Sequence, residues 1–198
     1  TAAGAGQNNA KLTIVINTLD NTTVTAAQLN TINDGTTEAV SLANVTSIAG
    51  ATNASLNTLN TAIDANEFSN DTGILNIAMA TSGSSIDAGE LATQINNFMD
   101  HNANVVFRLA DGDTLDIDDD TERGNIATYL GSGRLVLNDQ DVTFDNGFTI
   151  SAAEANAIAN ETTGTLTAGI DTDQTVAQLK TLRYPNGDAG NTGAYETH

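Results

Sequence analysis

The sequence predicts an α/β fold: a repetitive βα solenoid with a parallel sheet on one side and short helices on the other. Two observations predict it. Short β-like apolar runs alternate with short helix-like runs along the 198 residues, and one helix-start signature returns at a near-constant interval. A single coil of this kind cannot bury its own apolar face, so coils must stack. Parallel neighbours also need a crossover connection, and each helix supplies one. The same pattern allows one structural alternative, a compact α/β domain with a mixed sheet.

The expected strands are "KLTIVI" from Lys11, "EAVSL" from Glu38, "ILNIAM" from Ile74, "NVVFRL" from Asn104, "RLVL" from Arg134 and "TLTAGI" from Thr165. Their starts lie about 26 to 36 residues apart, the spacing of βα solenoids. Between them recurs a capping box. A Ser, Thr or Asp accepts from the unpaired N–H groups of a helix start, and a Glu or Gln three positions on bonds back to the cap. The boxes are "VTAAQL" from Val24, "IDAGEL" from Ile86 and "ISAAEA" from Ile150, with a looser copy, "IDTDQT", from Ile170. Ile32, Ile95 and Ile158 extend the first three as apolar helical positions.

Caps at Thr25, Asp87 and Ser151 stand 62 and 64 residues apart, and strand starts at Leu12, Ile74 and Arg134 stand 62 and 60 apart. The chain therefore divides into a leader (residues 1–10), three double repeats (11–73, 74–133 and 134–183) and a tail (184–198). Each double repeat holds two β-turn-helix coils. "NDTG", "GSG" and "GNTG" punctuate their ends.

The pattern of strand, Thr/Asp-rich turn, capping box, "TTG" and a further strand is most complete in "ISAAEANAIANETTGTLTAGIDT". It resembles degenerate repeats of very large secreted or cell-surface proteins of marine bacteria, cyanobacteria especially. The resemblance implies an extracellular or cell-surface repeat module in a surface layer, adhesive structure or matrix, with no catalytic residues. Calcium-binding nonapeptides often accompany such proteins, but their G-G-x-G-x-D pattern is absent from this chain.

Composition narrows the function classes. A formal charge of −19, from 25 acids against six Lys plus Arg, disfavours nucleic acid and anionic membranes and attracts divalent cations. Without cysteine there are no disulfides, thiolate metal sites or cysteine nucleophiles. No apolar run reaches membrane-spanning length, so no membrane insertion is expected. The start at Thr1 reads as that of a processed or excised piece.

"DGDTLDIDDDTE", residues 111 to 122, is the densest acidic stretch. It lacks the EF-hand order of ligands. If the fourth and fifth strands are neighbours about 4.8 Å apart, the turns after them bring Asp111 and Asp113 against Asp139 and Asp141. A calcium ion between those turns would relieve the crowding, with Asp145 as an extra ligand. The plainer reading is that these acids serve turns and caps. On that reading Asp118, Asp119 and Asp120 open the fourth helix, with Glu122 three positions past Asp119.

His101 and His198 have no metal-spaced partner, and no Ser/His/Asp set assembles. No enzyme is expected. Sequons at Asn21, Asn44, Asn53 and Asn160 follow from an Asn/Thr-rich composition. A solenoid leaves open sheet edges at both ends, and neither end of this sequence has a polar capping unit, so head-to-tail self-association is expected. The function read from the sequence is a structural module of an extracellular bacterial filament, surface layer or matrix, stabilised by calcium. The rivals are an adhesin for a glycan or surface, and a phage fibre or capsid-decoration protein.

Overall fold

The computed structural model describes residues 23–69, 71–80, 85–145 and 147–182. The expected strand from Lys11 and the tail lie outside them. In chain order the elements are β1 (Thr23–Thr25), α1 (Ala26–Asp34), β2 (Val40–Ser41), β3 (Ser47–Ala51), α2 (Asn53–Asp64), β4 (Phe68–Ser69), β5 (Asn76–Met79) and β6 (Ser85–Asp87). There follow α3 (Ala88–His101), β7 (Val106–Arg108), β8 (Thr114–Ile117), α4 (Asp120–Gly131), β9 (Leu135–Val136), β10 (Asp141–Phe144) and β11 (Thr149–Ile150). The described chain closes with α5 (Ala152–Ala159), β12 (Leu166–Thr167), β13 (Gly169–Ile170) and α6 (Val176–Leu179).

The architecture is α/β, with six described helices, and every described strand pairing is parallel. The strands do not gather into one sheet on one side. They form a five-stranded ladder, β1-β3-β5-β7-β9, a four-stranded ladder, β12-β10-β8-β6, and the pairs β11-β13 and β2-β4; none closes into a barrel. In the first ladder Val24, Ile48, Ile77, Phe107 and Leu135 stand in register. In the second Ile86, Leu115, Val142 and Leu166 do the same. All but the end residues Val24 and Leu166 are buried, so each ladder carries one apolar rung per strand into the core.

Each helix starts where the local chemistry requires it. Thr25, Thr52, Asp87, Asp119, Ser151 and Thr175 are the caps, each side chain accepting the backbone N–H three residues on. The expected caps Thr25, Asp87 and Ser151 hold. The fourth copy, read from Asp171, is displaced: its helix is capped by Thr175, with Gln178 closing the box. Gln174, which was to close a box at Asp171, instead accepts from the Ala152 N–H at the start of α5.

The caps stand 27, 35, 32, 32 and 24 residues apart. Connections between helices alternate between two strands and three: β2 and β3, then β4 to β6, β7 and β8, β9 to β11, β12 and β13. As a result α1 and α2 are each preceded by a strand of the five-stranded ladder, α3 and α4 by one of the four-stranded ladder, and α5 and α6 by one of the β11-β13 pair. The extra strand moves each successive helix pair one ladder along. This is the physical content of the 62-residue interval.

Amide side chains bridge successive helices and the segments beside them. Asn30 Nδ2 donates to the Ser55 carbonyl at 3.0 Å, Gln94 Nε2 to Asn57 Oδ1 at 2.6 Å, and Tyr129 OH to Asn96 Oδ1 at 2.8 Å. Asn156 Nδ2 reaches the Thr181 carbonyl at 2.8 Å. Asn30, Asn57 and Asn156 all lie five residues past a cap, where a helix faces the next one. Apolar helix residues such as Leu29, Leu59, Leu91 and Ile126 join the buried strand residues in one core.

The "TLTAGI" run breaks into β12 and β13, and the strand expected from Glu38 shortens to Val40–Ser41. His101, at the end of α3, is not isolated. Its Nδ1 lies 3.2 Å from Asp71 Oδ2, and its Nε2 lies 3.1 Å from Asn60 Oδ1 and 3.4 Å from Asp64 Oδ1. It ties α3 to α2 and to the short 3-10 turn Asp71–Gly73.

Candidate metal site

The strand β8 alternates: Leu115 and Ile117 are fully buried, while Thr114 and Asp116 face outward. Asp118 continues the outward series and stands just before the helix cap Asp119. Register with β10 pairs Ile117 with Phe144, and the Asp145 N–H donates to the Ile117 carbonyl at 3.2 Å. Asp145 therefore comes beside Asp118 at the ends of two parallel strands. Ligand oxygens of Asp116, Asp118 and Asp145 all lie within 4.8 Å of one another, the one such group among the described residues.

This geometry concentrates negative charge. Asp116 Oδ2 accepts from Ser85 Oγ at 3.2 Å, and its Oδ1 is buried without a hydrogen-bond partner. Glu122 Oε2 accepts from the Asp118 N–H at 2.7 Å, which brings a fourth carboxylate close. Partial loss of solvent pushes the Asp118 carboxyl above its usual range. The charges of Asp145, Asp116 and Glu122, and a hydrogen bond with Asp145, push it the same way. Asp118 and Asp145 are exposed, so the three carboxylates could take a metal ion from solvent.

The ligand set expected from the sequence is divided. Asp145 joins the cluster, but Asp111, Asp113, Asp139 and Asp141 do not assemble around one point. Asp111 and Asp139 line an open cleft of about 500 Å3 with Glu161, Asn138 and Thr163. Asp113 is buried. Asp141 accepts from the Thr165 N–H at 2.6 Å. The reason is register: Asp141 stands beside Thr114, so Gln140, not an acid, comes opposite Asp113.

Gln140 is fully buried and laces the turns together. Its Nε2 donates to the Ala110 carbonyl at 3.0 Å, and its Oε1 accepts from the Asn138 N–H at 2.6 Å. Thr162, also buried, donates to the Gln140 carbonyl at 2.6 Å. Gln140→Leu keeps much of the volume but takes the side-chain partners from the Asn138 N–H and the Ala110 carbonyl, both in part-buried bonds. A loss of about 2 kcal/mol in denaturant unfolding is expected. Gly164 lies against the same turn: a Cβ there would stand 2.3 Å from the Gln140 carbonyl oxygen, which is backbone and cannot swing aside. Gly164→Ala is expected to cost about 1–3 kcal/mol, read as a fall in the unfolding midpoint.

Asp116 and Asp118 were not among the expected ligands. Their signal was the alternation in "TLDID", which marks a strand and puts both acids on one face. Of the three acids assigned to the fourth helix start, Asp119 is the cap and Asp120 its first residue, while Asp118 belongs to the cluster.

Fold and site together define a parallel α/β protein with an open carboxylate cluster at the ends of two neighbouring strands. No protein-family model, curated protein or solved structure matches the chain. Among the described residues no helix is long and apolar enough to cross a membrane.

Proposed function

We propose that this chain is a βα-solenoid module, a non-enzymatic structural subunit of an extracellular bacterial assembly, which associates head to tail and is stabilised by calcium. The observation that carries this reading is the pair of parallel ladders, to which successive coils each add one strand in register. Each coil buries its apolar rung against its neighbours, and the helix row adds Asn bridges without closing the stack.

The apolar face of α6 supports association. In α1, α3 and α5 the first and fourth helical positions are apolar and buried: Ala26 and Leu29, Ala88 and Leu91, Ala152 and Ala155. In α6 the same positions are Val176, 68% exposed, and Leu179, 40% exposed. These exposed apolar side chains offer a face that a second copy of the chain could cover. The extracellular setting rests on the resemblance of the repeats, and the calcium reading on the Asp116, Asp118 and Asp145 carboxylates.

Negative-stain microscopy and light scattering across a concentration series, with calcium and with chelator, test the reading. Filaments, layers or concentration-dependent oligomers are the expected result. A monodisperse monomer at every concentration in both conditions would overturn it.

A further inference from the structure

We draw no further inference here: the strongest candidate, the open cleft lined by Asp111, Asp139 and Glu161 where the β7–β8, β9–β10 and α5–β12 turns meet, is an acidic surface cluster beside which nothing in the structure points to a ligand.

Discussion

Phe107→Ala is expected to cost about 3–5 kcal/mol of folding stability, the largest effect of any single substitution considered. Phe107 is fully buried at the middle of the apolar rung, between Ile77 and Leu135 in the five-stranded ladder. Its ring meets Phe98 of α3 edge to face at a centroid distance of 6.1 Å. One side chain thus joins the ladder to the helix row. Truncation removes the transfer term and leaves a cavity that a ladder held by parallel hydrogen bonds cannot collapse to fill. The check is urea unfolding followed by circular dichroism. A change below about 1 kcal/mol would mean that the core does not depend on this contact. On the proposed solenoid reading, in which each coil contacts mainly its neighbours, the transition of the variant is also expected to broaden, as the two halves of the stack lose their coupling.

The second large effect concerns the carboxylates at the ends of β8 and β10. Calcium at about 100 times its dissociation constant is expected to stabilise the protein by about 2.7 kcal/mol, a rise of several degrees in melting temperature. The Asp116→Asn, Asp118→Asn, Asp145→Asn triple variant should show no such response. Calorimetry on chelated protein that gave neither heat nor thermal shift would remove calcium from the proposed function and leave the solenoid reading intact.

The same cluster predicts a pH dependence without metal. The Asp118 carboxyl is raised in the folded state, first by partial loss of solvent and then by Asp145, Asp116 and Glu122. Below the pKa of the unfolded chain, about 3.9 for Asp, both states hold the proton and the group imposes no penalty. As pH rises through the folded value, the unfolded state has already ionised and the folded state must follow against three negative neighbours. Stability contributed at low pH is therefore lost on the way to neutrality. Asp118→Asn should remove that part of the decline, so that the metal-free variant is more stable than the wild type at pH 7 and equal to it near pH 3. The difference between the two curves isolates the cluster from the general repulsion of a chain carrying −19.

The helix starts were the most legible feature, and the reason is their locality. A capping box needs only a hydroxyl or carboxylate and a partner three residues away, and Thr25, Asp87, Asp119 and Ser151 cap helices as read. Asp171 shows the limit. It has the right spacing to Gln174, but that side chain finds a better acceptor role at the start of α5. Strands were less legible: β4, β6 and β11 have two or three residues and little apolar content. Each is a strand because a parallel partner offers it a ladder edge, and that partner lies some 20 to 30 residues away in sequence. β8 was hidden for another reason. In "DGDTLDIDDDTE" only Leu115 and Ile117 are apolar, and turn- and cap-forming acids surround their alternation.

By itself the sequence determined the α/β class, the starts of α1, α3, α4 and α5 though not those of α2 and α6, the 62-residue interval and the acidic, cysteine-free composition, because each depends on near neighbours or on composition. Only the tertiary structure decided how the strands are shared among four sheets, and that the interval arises from a third strand in alternate connections. It also decided which carboxylates meet. Register between β8 and β10 is set by the burial of Leu115, Ile117, Val142 and Phe144, and an offset of one residue turns a side chain to the opposite face. In this register Thr114, not Asp111 or Asp113, stands beside Asp141, while Asp145 comes beside Asp118 and within reach of Asp116.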